Sequence, residues 1–130
     1  MNPYVPYHEP SVQKAKELVK DEKNLLKRFS IITKWVSHCF AYDYIRAITI
    51  PKHGHEVPDV EGCWNKKVGI CMDIASMTTG MLRAVGVNAY LVFGRTEHGA
   101  HAWVEAHINS KIYRYDFNGK AKKYVRQKMF

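Results

Sequence analysis

The sequence predicts an α+β domain in which helices come first and an antiparallel sheet follows. Three observations carry that prediction. Apolar residues recur at helical spacing from Leu25 to Val36 and again from Ile74 to Val85. Three runs suited to strands, 87–93, 101–108 and 112–116, then follow with no further helical pattern. Between the last two, Asn109-Ser110 has the length and one of the residue types of a two-residue hairpin turn.

Taken in order, Pro3, Pro6 and Pro10 make residues 1–10 an extended arm. Ser11 is a candidate cap for a short helix to about residue 20, and Asp21 for a second. The second carries Leu25, Leu26, Phe29, Ile32, Trp35 and Val36 as one stripe, with Cys39 and Phe40 near its end. Residues 41–67 are punctuated by Pro51, Gly54, Pro58 and Gly62 and hold at most one short strand, 47–50. A connection of that length in a compact domain is often functional. The next helix is the best defined. Ile74, Met77, Thr78, Met81, Leu82 and Val85 form its buried stripe, and Gly86 stands where it should stop. Cys71 lies three residues before Ile74 and so points to the same side. Gly80 in its middle suits close packing on the sheet. Residues 118–130 read as a basic tail, and 1–130 as a single domain with its core at about 25–117.

Composition narrows the function. Hydrophobic residues make up 46% and charged residues 25%, as in ordinary globular proteins. No apolar run is long enough to span a bilayer, and no basic-then-apolar leader opens the chain. The net charge of +8 raises the question of nucleic acid, yet the basic residues fill polar helix faces and no nucleic-acid motif accompanies them. No nucleic-acid partner is expected. Three cysteines without a C-x-x-C pair argue against both a disulfide scaffold and a zinc site. His53, His55 and Cys63 are too sparse a set for a metal, and residues 53–56 read as a polar loop near a cleft mouth. No cofactor and no metal are expected.

What remains is nucleophilic chemistry. A thiolate attacks where a thiol does not, and both a helix N-terminus and an imidazolium favour the thiolate. Cys71 follows Gly69-Ile70 at a helix start, where its own backbone N–H is a candidate oxyanion donor. If Asn109-Ser110 is the turn, Ile108 pairs with Lys111, Ala106 with Tyr113 and Val104 with Tyr115. His101, Trp103 and Glu105 then share the other face with Asp116, Arg114 and Ile112, and His101 is a diagonal neighbour of Asp116, ~7–8 Å away along the backbone. Asp116 would orient His101, and His101 would meet Cys71. A slip of one residue would put Asp116 on the opposite face. Cys39, at a helix end, and Cys63, in a loop, are weaker nucleophile candidates, and His98 is a loop rival to His101.

Gly69-Ile70-Cys71-Met72-Asp73-Ile74-Ala75, Met81-Leu82-Arg83-Ala84-Val85-Gly86-Val87, His101-Ala102-Trp103-Val104-Glu105 and Tyr115-Asp116 occur in one order. Together they resemble the core of the transglutaminase-like superfamily, and Trp35-Val36 with Tyr42-Asp43 resembles the helix and strand that precede it. The chain departs from that pattern at Ile74, where an aromatic is commoner, and at Phe117-Asn118, where Pro-Thr often follows the Asp. The resemblance implies a papain-like, transglutaminase-core fold with a nucleophile-bearing helix packed on a small antiparallel sheet. It implies Cys71 as nucleophile, His101 as general base and acid, and Asp116 as orienting residue. Tyr42 and Trp64 become candidate second oxyanion donors, and Trp103 and Tyr44 candidate cleft residues. The implied chemistry is attack on amide bonds of proteins or peptides through a thioester, with hydrolysis ahead of cross-linking. Bacterial members are often secreted or surface-attached, though a cytoplasmic site stays open. A non-catalytic peptide- or glycan-binding module on the same fold is the alternative.

Overall fold

The computed structural model describes residues 2–50 and 56–130. His53 and His55 therefore lie outside the described residues. Among the described residues, five helices and six strands follow in the order α1 (Glu9–Leu18), α2 (Leu25–Cys39), β1 (Ala41–Tyr42), α3 (Tyr44–Thr49), α4 (Val60–Lys66), β2 (Val68–Gly69), α5 (Cys71–Ala84), β3 (Asn88–Thr96), β4 (Gly99–Ile108), β5 (Lys111–Tyr115) and β6 (Tyr124–Met129).

The main sheet is antiparallel, in the order β5-β4-β3-β6. One face packs on α5, and the core sits between them. Ile74, Met77, Met81 and Leu82 of α5 meet Leu91, Val104, Ala106 and Ile108 of the sheet, with Ile32 and Val36 of α2 and Ala15 of α1 closing the sides. Because α5 is surrounded, its two threonine hydroxyls are bonded within the helix: Thr78 Oγ1 donates to the Ile74 carbonyl (2.7 Å) and Thr79 Oγ1 to that of Ala75 (2.8 Å). The helix ends as its sequence predicts. Gly86 takes φ +85°, and Val87 N–H returns to the Leu82 carbonyl at 3.0 Å.

The hairpin forms at Asn109-Ser110 with Ile108↔Lys111, Ala106↔Tyr113 and Val104↔Tyr115, the register that the turn implied. Both turn residues have positive φ, 52° and 65°, matching the twist of the strands they join.

Several expectations are corrected. The arm is not extended through residue 10. Helix α1 starts at Glu9 behind His8, whose Nδ1 accepts from Ser11 N–H (3.3 Å), so Ser11 lies inside the helix. Asn24, not Asp21, caps α2, its Oδ1 accepting from Lys27 N–H at 2.9 Å. The segment 47–50 is not a strand. Asp43 caps α3 there, and Asp59 caps α4, each through a carboxylate accepting a backbone N–H three residues on. The basic tail is not a tail, because residues 124–129 form β6 and pair with β3. That pairing leaves no room at Gly94, where a Cβ would fall 2.1 Å from the Val125 carbonyl oxygen and 2.6 Å from Trp103 Cη2. Strand β6 is exposed along its middle and alternates poorly, which is why its sequence resembles a solvated tail.

Candidate active site

Two short strands bring Cys71 into place. Strand β1 pairs parallel to β2, with Tyr42 opposite Gly69, and Asp43 N–H donates to the Gly69 carbonyl at 2.9 Å. Ile70 then caps α5, and Cys71 is its first residue. The first helical hydrogen bond runs from Ile74 N–H to the Ile70 carbonyl (3.1 Å), so the Cys71 N–H precedes the ladder, at the positive end of the helix.

Asp73 locks this corner. Its side chain is 1% exposed and accepts from Ile70 N–H (3.0 Å), Asp59 N–H (2.8 Å), Arg46 Nε (2.9 Å) and Arg46 Nη2 (3.1 Å). One carboxylate thus joins the starts of α4 and α5 to the middle of α3. The bidentate bond to Asp73 also raises Arg46 above its ordinary range. Asp73 and Arg46 had no assigned role in the sequence reading. The three-residue spacing from the helix cap to Asp73 is the signal for the first, and nothing local signals the second.

Across from Cys71, the strand face turns His101 toward Asp116. Nε2 of His101 lies 2.9 Å from Oδ1 and 3.0 Å from Oδ2 of Asp116. With Nε2 engaged, Nδ1 is left for Cys71. Burial alone would lower His101. Hydrogen bonds to Asp116 and to Cys71, and the negative charge of both, outweigh it and raise the imidazole to about 10. Burial pushes Asp116 up, but bonds from His101 and from Tyr124, the charge of His101 and the Asn118 N–H bring it below its ordinary value. Cys71, His101 and Asp116 thus stand in one row, with the imidazole at its centre.

Two clefts meet at His101. One, of about 580 Å³, is lined by Tyr42, Tyr44, His98, Phe117 and Lys120 among others. The second, of about 400 Å³, reaches Cys71 between Ile50, Glu56, Phe93 and Gln127.

The other sequence candidates divide. Tyr42 is half-buried in the first cleft, and burial first and the nearby Cys71 second raise its phenol above the ordinary value. Tyr44 is 72% exposed on the same rim. Trp64 is not brought to the clefts but packs with Trp35, Phe40 and His8, beneath the Lys67 ammonium at 3.6 Å. Trp103 lines neither of these two clefts. It is 1% exposed and stands behind His101, its Nε1 donating to Glu105 Oε2 at 3.0 Å. Burial and the charges of Asp73 and Asp59 push Cys63 up to about 12, which removes it as a rival nucleophile. His98 lies on the rim, 3.7 Å from Glu97, without a carboxylate aimed at a cysteine.

The sequence model of the Transglutaminase-like superfamily matches residues 12–117. No curated protein sequence matches the chain. Among solved structures, a candidate cysteine protease from Cytophaga hutchinsonii superposes with a TM-score of 0.77 at 16% identity, over 99% of this chain and 44% of that one. A candidate protease from Parabacteroides distasonis gives 0.65 at 19% identity, over 83% and 23%. Legionella pneumophila LapG gives 0.63 at 16%, over 90% and 67%. The chain spans less than half the length of the first two, and likeness at these identities is likeness of fold: a mixed helix-and-sheet fold of the transglutaminase-like and papain-like kind.

Proposed function

The chain belongs to the transglutaminase-like superfamily, and from that membership we propose that it is a cysteine enzyme acting on amide bonds of proteins or peptides through a thioester. One observation carries the reading: His101 is bonded to Asp116 and shares with Cys71 the lining of one cleft, at the point where two clefts meet.

The thiolate of Cys71 attacks the amide carbonyl, and the carbonyl pair moves onto oxygen. The Cys71 N–H faces that oxyanion, with the Tyr42 hydroxyl as the second donor. As the C–N bond breaks, imidazolium His101 gives its proton to the departing amine, leaving a thioester on Cys71. Neutral His101 then takes a proton from water as the water adds to the thioester carbonyl. Collapse releases the acid and restores thiolate and imidazolium. Asp116 keeps the Nε2 proton in place throughout, so that Nδ1 serves the chemistry. We place hydrolysis ahead of cross-linking because the cleft that reaches Cys71 gives water access to a thioester formed there.

The test is incubation of wild type and Cys71→Ala with a mixed peptide library in water enriched in heavy oxygen, followed by mass spectrometry. New carboxyl groups carrying one heavy oxygen, formed by the wild type alone, are expected. Transfer of the acyl group to an added primary amine in preference to water would reassign the reaction to transamidation. An unchanged library would return the cleft to a binding role.

A further inference from the structure

Strand β6 lies beyond the residues that the family model matches, yet it reaches the row of reactive groups. The Tyr124 hydroxyl donates to Asp116 Oδ2 at 2.7 Å. The same carboxylate is held by His101 Nε2 and accepts from Asn118 N–H at 3.2 Å. The residue is itself fixed by three contacts, two on its ring and one on its backbone. It stands edge-on to Trp103, with centroids 5.0 Å apart at 76°. The Arg114 guanidinium covers it at 3.7 Å from the ring centroid. Its backbone pairs with Thr96 of β3. A second residue of β6 secures the backing, because Arg126 Nη2 lies 2.7 Å from Glu105 Oε1, and Glu105 Oε2 holds the Trp103 indole.

We propose that Tyr124 is a positioning residue of the reaction, holding the Asp116 carboxylate against His101, and that β6 is therefore part of the catalytic apparatus. This rests on the cysteine-enzyme reading above. The terminal torsion of an aspartate is soft, so its plane is set by whatever donates to its oxygens. The Asp116 side chain is 5% exposed, so water is poorly placed to replace a lost donor. Burial and the adjoining carboxylate push the Tyr124 phenol up to about 12, so it stays a donor across the working range. Without that donor Asp116 gains a proton at higher pH, and a neutral Asp116 no longer supports the imidazolium that pairs with Cys71.

Tyr124→Phe tests this, since it keeps the ring and removes only the oxygen. The readouts are iodoacetamide labelling of Cys71 against pH, by mass spectrometry, and the carbon NMR titration of Asp116. The acid edge of labelling is expected to move to higher pH, with labelling on that edge falling about tenfold, and Asp116 to titrate at higher pH. Fluorotyrosine at the same position, a stronger donor, is expected to move both the other way. A labelling edge and an Asp116 titration unchanged in both proteins would reduce Tyr124 to packing and overturn the proposal while leaving the enzyme reading intact. Wild-type Cys71 that resists labelling below neutral pH would defeat the enzyme reading itself, and this inference with it.

Discussion

Asp73 is the residue on which the position of Cys71 most depends. It gathers two backbone N–H groups and two guanidinium nitrogens onto one buried carboxylate, two residues from Cys71. Asp73→Asn turns one acceptor oxygen into a donor facing those donors and removes the charge opposite Arg46. It should cost roughly 3 kcal/mol in urea unfolding, with Arg46 relieving part of the loss because its side chain is 29% exposed. A change within about 0.5 kcal/mol would remove Asp73 from this role. The placement of Cys71, His101 and Asp116 was legible because each carries a short-range signal: Cys71 opens a strong helical stripe, and His101 and Asp116 follow from the period of two along a hairpin. Tyr124 was not legible, because its bond to Asp116 depends on β3 pairing across a register shift between Phe93 and Gly94. Trp64 and Trp103 pack into the interior instead, Trp64 against Trp35 and Phe40 and Trp103 behind His101, and spacing alone does not separate such packing from a place in a cleft.

At the scale of elements, the strand hairpin decides the site, since a one-residue slip would take Asp116 away from His101. Asn109 tolerates its positive φ of 52° well, but Ser110 holds 65° against its side chain. Ser110→Gly should therefore stabilise the protein by about 0.5–1 kcal/mol in thermal or urea unfolding, with the pairing unchanged. Loss of stability would mean that the turn differs from the one described. The long periodic helices and this hairpin were readable from sequence. Helices α3 and α4 were not, since six and seven residues are too few to display a stripe. Only their caps, Asp43 and Asp59, give them away. β6 hides for another reason: an edge strand buries little, so tertiary pairing and not apolar patterning makes it a strand.

For the whole molecule, the reactive row ties stability to pH in a predictable window. His101 is raised from 6.5 to about 10, so its contribution is full below pH 6.5 and is lost as pH climbs toward 10. Asp116 is lowered from 3.8, so its contribution is present above that value and is lost as pH falls through the lowered one. Urea unfolding across pH should place the greatest contribution of the pair between 3.8 and 6.5, and His101→Ala should flatten the decline on the alkaline side. An alkaline decline of the same size in His101→Ala would assign it to other groups. All of this depends on a thiolate–imidazolium pair existing in the resting protein. The pH dependence of alkylation at each cysteine, by iodoacetamide and mass spectrometry in wild type and His101→Ala, tests that most directly. Rapid labelling of Cys71 below pH about 7, slowed by loss of His101 while Cys39 and Cys63 stay inert there, is the predicted result. Labelling of Cys71 only at alkaline pH, or at a rate indifferent to His101, would contradict the account.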